Sequence, residues 1–385
     1  MERPRPDVDC PVPVPRDVRP NAWARRAAAP ASRGRVRRCH TTPVPIAASP
    51  DTAPVVILGV SRSGTTLLKE MLDRHPSLAI PSESYFIPQL WDRHGGVVDA
   101  DAFVADLCRI QRIAAWGVEP AAVRARLPAR APFHEAVQAI YACYAEARGC
   151  RRFGDKTPLY MQRLGHVARA FPDARYVHIV RDGRDACLSF LAMRRRPRLN
   201  FSRPRGIASF AAQWRMEITD ARAFGASLPG GRYLELRYED LVRDPRTHLE
   251  RVCRFLALGF DEAMLEYHRA VDPSLLVDHP LLAGPPRPAR SSWREAMALA
   301  DLRRFEAVAG DLLEDLGYER AQRTLSARER ALGVIAYARG RALVRLWWAA
   351  VTLVRRSPLW RARQAYIRRT ATSTGTRAGH TASAG

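Results

Sequence analysis

Lysine is nearly missing from this chain. Of 62 basic side chains in 385 residues, only Lys69 and Lys156 are lysine, and the remaining 60 are arginine. Under so strong an arginine bias, a retained lysine marks a place where a compact, rotatable ammonium serves better than a planar fork. Lys156, in the string GDKTPLY, is the stronger case; Lys69, on a helix, reads as a solvated surface residue. Ordered cysteine patterns are also lacking. The seven cysteines, at 10, 39, 108, 143, 150, 187 and 253, form no C-x-x-C and no His/Cys cluster at zinc spacing. Their odd number argues against a complete disulfide framework and predicts reduced thiols in a cytoplasmic protein. No internal repeat is visible, and residues 1–52 contain no apolar run suited to a secretory segment or a membrane span.

Acidic residues are few, 39 in all, which leaves a formal charge of +23. Its distribution argues against a nucleic-acid binder: residues 1–52 carry +5 and residues 320–385 carry +13, so the 267 residues between hold only +5. At 47% hydrophobic, the chain can bury one large core.

The most informative stretch runs PVVILGVSRSGTTLLKEML, from Pro54 to Leu72. Val55 to Leu58 reads as a buried strand, Gly59 and Gly64 frame a loop, and Leu67, Leu68, Met71 and Leu72 recur at helical spacing. A loop between strand and helix aims backbone N–H groups and a helix N-terminus at one anion. A triphosphate loop would place a lysine after its second glycine, whereas Thr65 and Thr66 follow Gly64 here. Arg62 adds a fixed positive charge, and the threonines add hydroxyl donors. A ligand presenting one phosphate at this loop fits better than a chain of three.

The string SRSGTT after an apolar strand resembles the 5′-phosphosulfate loop of the sulfotransferases that use 3′-phosphoadenosine-5′-phosphosulfate (PAPS). It is most similar to the branch containing tyrosylprotein and many bacterial sulfotransferases, and the resemblance covers about Pro54 to Glu319. It implies an α/β, P-loop-like fold and assigns Ser61, Arg62, Ser63, Gly64, Thr65 and Thr66 to the 5′ end of the nucleotide. The segment RYVHIVRDGRDACLSF, Arg175 to Phe190, ends a strand at Val180 and begins a helix near Asp185, so Arg181 and Ser189 can converge on one anion. In the family this arginine–serine pair, eight residues apart, binds the 3′-phosphate.

Further roles rest on the same likeness. Glu83, twenty-one residues beyond Arg62 in IPSESYF, stands at the offset of the proposed catalytic base, which would take the acceptor proton. His75 is the competing candidate, since another branch uses histidine, but it precedes Pro76 at a helix end and reads as a cap. Lys156 resembles the lysine that stabilises the transferring group; with Arg62 it would supply the needed cations, so no metal is expected. Tyr238, in the string RYEDL, matches the tyrosine that approaches the nucleotide. The stretch PPRPARSSW, Pro285 to Trp293, resembles a late nucleotide loop, with Arg287 and Arg290 both open as its basic residue. Where the tyrosylprotein enzymes have another arginine four residues after the Ser189 match, this chain has Met193, followed by Arg194, Arg195 and Arg196.

The pattern of elements predicts a doubly wound α/β domain over 53–320, with a mainly parallel sheet and helices on both faces. Strands are expected at Ser77–Ile80, Tyr176–Val180 and Tyr233–Leu236. Helices are expected at Asp101–Arg112, Pro132–Arg148, Pro245–Leu258 and Asp301–Leu316. Residues 1–52, rich in Arg, Pro and Ala, read as disordered, as do 371–385. A basic helical extension spans 321–370, with a helix from Ala338 to Tyr366. On that helix Arg341, Arg345, Thr352 and Arg356 share one stripe and apolar residues cover the rest, which suits either an anionic membrane surface, at the inner face of the cell membrane, or packing on the enzyme body. The expected activity is sulfuryl transfer from PAPS to a hydroxyl-bearing acceptor (glycan, lipid, phenol or tyrosyl), whose cleft is placed in residues 84–150 and 194–225. A nucleotide kinase or NTPase, and a nucleotide-binding protein without turnover, are the alternatives. The sequence leaves the oligomeric state open.

Overall fold

The computed structural model describes residues 52–193, 204–287 and 292–358. The expected disordered segments, the arginines 194–196, Arg290 and residues 359–370 lie outside them. Five parallel strands form the central sheet, in the order β2-β5-β1-β6-β7: β1 Val55–Leu58, β2 Leu78–Ala79, β5 Arg152–Lys156, β6 Arg175–Val180 and β7 Tyr233–Arg237. A short antiparallel pair, β3 Val97–Asp99 and β4 Arg130–Pro132, lies apart from it.

Side chains alternate between the two faces of the sheet, as the pleat requires. Val56, Leu58, Tyr176 and Val180 point into one apolar cluster with Phe103, Ile140, Trp214 and Phe305. Val55, Ile57, Val177 and Ile179 point into the other, with Leu68, Met71, Leu249 and Val252. A strand buried on both faces reads as a continuous apolar run, which is why β1 and β6 are legible in the sequence. The strand β5 is not, because RFGDK carries its burial through polar groups: Arg152 is buried and bonds the carbonyls of Ala53 and Leu256.

The expected helices form with shifted ends. The segment 101–112 divides into Ala100–Leu107 and Gln111–Ala115, and Pro245–Leu256 ends on Ala257 in the left-handed region (φ 56°) instead of reaching Gly259. Leu299–Asp315 is closed by Gly317 at φ 75°. Ile207–Ser227, predicted as cleft wall, is a 21-residue helix that buries Phe210, Trp214 and Ile218 against the sheet. The C-terminal helix runs Ala327–Arg356 and starts eleven residues earlier than expected. Ser326 and Glu329 form a reciprocal cap there: Glu329 N–H donates to Ser326 Oγ (3.2 Å), and Ser326 N–H donates to the Glu329 carboxylate (2.8 Å). This helix packs against Ile207–Ser227 and Leu299–Asp315.

The chain leaves β1 toward the β5 and β2 side and leaves β6 toward β7. A crevice therefore opens at the carboxyl ends of β1 and β6, where connections diverge.

Candidate active site

The loop after β1 is shaped by two left-handed residues, Arg62 (φ 73°) and Gly64 (φ 91°). A non-glycine residue at positive φ is strained, and such strain concentrates at functional sites. Gly64 is required twice, by its φ and because a Cβ would strike the Tyr238 ring. A Cβ on Gly59 would lie 2.6 Å from Thr65 Cγ2 and 2.8 Å from the Ile179 carbonyl. Loop and β6 therefore touch at backbone level.

The turn after β6 reaches the same place. Arg181 Nη1 donates to the Arg62 carbonyl at 3.1 Å, and Arg62 Nε donates to Ser189 Oγ at 3.0 Å. Arg181 also lies over the Tyr238 ring, 4.7 Å from its centroid. The rest of the RDGRD turn faces inward: Asp182 caps the helix Gly183–Leu191 by accepting from Arg184 N–H, while Arg184 pairs with Asp182 and Glu306, both at 2.7 Å, in the core. The two predicted anion sites are thus one continuous surface across the crevice.

Beside it, at the end of β5, Lys156 Nζ donates to Glu83 Oε1 at 2.7 Å and to Thr66 Oγ1 at 3.3 Å. An ammonium has three N–H donors, and two of them are used by these partners among the described residues. Tyr85 OH donates to the other Glu83 oxygen, and Tyr85 itself sits at φ 57°. A buried network holds this segment to β5. Ser84 N–H donates to Thr157 Oγ1 (3.0 Å), and Ser84 Oγ donates to Asp155 Oδ2 (2.7 Å) and meets Tyr160 OH at 2.6 Å. Burial pushes the Asp155 carboxyl up to about 6, against the hydrogen bonds of Tyr141 and Ser84.

The loop, the turn after β6 and Glu83 with Tyr85 line a cavity of about 630 Å³, the right order for a nucleotide-sized ligand. Of the predicted site residues, Ser61, Arg62, Gly64, Thr65, Thr66, Glu83, Arg181, Ser189, Tyr238 and Arg287 line it. Lys156 reaches it through Glu83 and Thr66, Ser63 is buried behind the loop, and Arg290 lies outside the described residues. His75 sits elsewhere: its Nε2 meets the Gly259 carbonyl at 3.0 Å and its Nδ1 accepts from Ser77 N–H at 3.1 Å. Lys69 is ion-paired to Glu70 and Asp73 on its own helix.

Sequence reasoning missed two features. The segment around His279 closes over the loop: Arg62 donates to the Asp278 carbonyl (3.0 Å) and approaches His279 Nδ1 (3.3 Å). Burial, then the Arg62 and Lys156 charges, push the His279 imidazole down to about 4. The ring is neutral at pH 7, and Nδ1 accepting from Arg62 places its proton on Nε2, 3.5 Å from Thr66 Oγ1. The second is Glu217 at the far end of the cavity, buried at 2% exposure, which accepts from Gln162 (2.8 Å) and Gln213 (2.6 Å). Burial raises its carboxyl to about 7. Neither position stands in any local pattern. The predicted acceptor span 84–150 contributes only Tyr85 to the cavity among the described residues; its helices cover one face of the sheet.

Electrostatically the crevice asks for an anion. Burial and the Arg181 charge lower the proton affinity of Arg62, the mark of cations crowded together with too little counter-charge. Among the buried donors without a protein partner among the described residues, Ser63 Oγ belongs to the loop and Arg181 Nε to the turn after β6. A phosphate oxygen in the cavity would satisfy Arg181 Nε, since Arg181 lines it. No group of His, Cys, Asp and Glu among the described residues has the arrangement of a metal site.

Residues 54–262 match the model of a family described as the sulfotransferase family. The nodulation protein NoeE of Sinorhizobium fredii is 27% identical over 320 residues, covering 76% of this chain and 72% of that protein. Protein-tyrosine sulfotransferase 1 of Danio rerio is 26% identical over 300 residues, covering 70% of this chain and 73% of its own. Among solved structures, the sulfotransferase domain of the Synechococcus PCC 7002 olefin synthase aligns over 70% of this chain and 96% of its own, at 25% identity and a TM-score of 0.43.

Proposed function

Because the chain belongs to the sulfotransferase family, we propose that it moves a sulfuryl group from PAPS to a hydroxyl-bearing acceptor. The observation that carries this reading is the meeting of two arginine-bearing turns at one crevice. Arg62 and Arg181 stand on loops after β1 and β6 and are tied by the Arg181–Arg62 carbonyl bond of 3.1 Å. A nucleotide with phosphate at both its 5′ and 3′ ends needs two such anion sites in one cleft; an ATP user needs one.

In this reading the loop Ser61–Thr66 holds the 5′ end by backbone N–H groups and the threonine hydroxyls. Arg181 and Ser189 hold the 3′-phosphate, with Tyr238 beneath Arg181 and Arg287 on the cavity wall. Glu83 takes the acceptor's proton as its oxygen attacks sulfur. The new O–S bond forms as the bond from sulfur to the 5′-phosphate oxygen breaks, and that electron pair leaves with adenosine 3′,5′-bisphosphate. Lys156 and Arg62 lie where charge grows on the departing oxygen, which lowers the barrier without a metal. His279, neutral, locks Arg62 in place without adding a competing charge.

The acceptor enters from the end of the cavity marked by Glu217, Gln162 and Gln213, three polar groups amid Leu159, Phe190 and Met193. That lining suits a hydroxylated acceptor, glycan, lipid, phenol or tyrosyl, that carries further hydrogen-bond donors. We place the enzyme in the cytoplasm, on the seven unpatterned cysteines and the free thiols of Cys108, Cys143, Cys150 and Cys253.

The test is product formation. With PAPS and a panel of phenols, tyrosyl peptides and glycans, the wild type releases the bisphosphate and a sulfated product seen by mass spectrometry, and Glu83→Gln loses about 10²–10⁴ in kcat. Magnesium-dependent ATP hydrolysis with no sulfated product would instead make the chain an NTPase, and bisphosphate binding without any transfer would make it a binding protein.

A further inference from the structure

The C-terminal helix Ala327–Arg356 docks by the face that its charges predict least. Its arginine side meets the enzyme body: Arg355 and Thr352 reach Asp92 at 3.2 Å, Arg341 reaches Asp220 at 3.5 Å, and Trp348 Nε1 donates to Gln162 at 2.9 Å. Gly333 lies directly against the backbone of Ala307. The opposite face is mainly apolar, interrupted by Arg328 and Arg339. Leu332, Ile335, Leu343, Leu346, Leu353 and Val354 fall within roughly 100° of the helix surface, and their exposure runs from 43% at Leu343 to 73% at Leu353. A continuous stripe of this kind on an otherwise well-packed protein marks a surface that something covers.

Charge decides what covers it. Arg328 and Arg339 sit within the stripe, Arg345 and Arg356 flank it, and all four are exposed. After Glu329 the chain contains no further acid, while residues 359–385 add Arg361, Arg363, Arg368, Arg369 and Arg377. A second copy docked on this stripe would set Arg339 against like charge and bury it. An anionic lipid surface takes the leucines into its interface and pairs the arginines with headgroups. No helix among the described residues is long and apolar enough to cross a membrane, so the contact is with the surface.

We propose that the outward stripe of helix Ala327–Arg356 holds the enzyme on an anionic membrane surface, lying in the interface with its opposite face docked on the sulfotransferase body. The body then stands fixed above the bilayer. This assignment does not depend on the identity of the acceptor or of the nucleotide.

The test is co-sedimentation of the full chain with vesicles of phosphatidylcholine alone or with roughly a third phosphatidylglycerol. The wild type is expected to bind the mixed vesicles at least tenfold more tightly than the neutral ones, with loss in high salt. The double variant Leu346→Glu/Leu353→Glu is expected to lose tenfold or more, with unchanged thermal midpoint and unchanged affinity for adenosine 3′,5′-bisphosphate, since both positions are exposed. Equal sedimentation of wild type and variant, or none with either vesicle, overturns the proposal. So does a dimer in analytical ultracentrifugation that the double variant dissociates, which would give the stripe to a second copy.

Discussion

Glu217 separates what a residue type suggests from what its surroundings make of it. A glutamate in a helix is ordinarily a solvated anion, yet here burial raises its carboxyl to about 7 from an ordinary 4.5. The folded protein therefore binds a proton that the unfolded chain has released between these values, and stability falls as pH rises through the window. Glu217→Gln keeps an acceptor for Gln162 and Gln213 and removes the charge. The variant is expected to match the wild type in unfolding free energy near pH 4 and exceed it near pH 8, by at most about 3 kcal/mol. A constant difference across the range would place the carboxylate in contact with solvent or a cation. Glu83, by contrast, is held on both oxygens by Lys156 and Tyr85, and its place on the cavity wall was legible from its offset to Arg62. His279 was not legible: its partner Arg62 lies 217 positions away, and nothing nearby marks it.

Among the elements, the glycine loop and the Ser84 network test how tightly the site is built. Gly64→Ala meets both a positive φ and the Tyr238 ring, so a loss of stability of about 1–3 kcal/mol and a weaker bisphosphate affinity are expected. An unchanged melting curve would mean that the loop relaxes freely. Ser84→Ala leaves Asp155 and Tyr160 short of a partner while touching no ligand. It should lower kcat through a looser Glu83 and leave bisphosphate affinity unchanged, a split read by kinetics beside calorimetry. Elements built on apolar runs, β1 and β6, were legible in the sequence, and so were helices with one apolar face, such as Leu299–Asp315. Those carried by alanine or by buried polar groups were not: Ile207–Ser227 buries Ala211, Ala212 and Ala221 beside its few large residues, and β5 hides Arg152, Asp155 and Lys156 inside the sheet.

For the whole molecule, the decisive fact is where charge resides. Most of the +23 falls on the two ends of the chain, while the body holds most of the acids and uses Asp92 and Asp220 to anchor the C-terminal helix. Burial pushes the Asp92 carboxyl up, but the nearby His166 ring and the Arg163 and Arg355 guanidinium groups outweigh it and hold it below the usual carboxylate range. Asp92→Asn would leave these arginines facing one another. Hydrogen exchange over residues 348–356 should rise, with bisphosphate binding intact; unchanged protection would show that packing of Trp348 alone holds the helix. The sequence pattern could announce this helix but not its docked face, because Asp92 and Asp220 lie far away in the chain and turn its arginines inward.

The central claim is that one crevice holds a nucleotide phosphorylated at both ends. Calorimetric titration of adenosine 3′,5′-bisphosphate against ADP, on wild type and on Arg181→Ala, tests it most directly. The wild type should bind the bisphosphate at least tenfold more tightly than ADP, and the variant should lose most of that preference. Equal affinity for the two nucleotides, unaltered in the variant, would contradict the account.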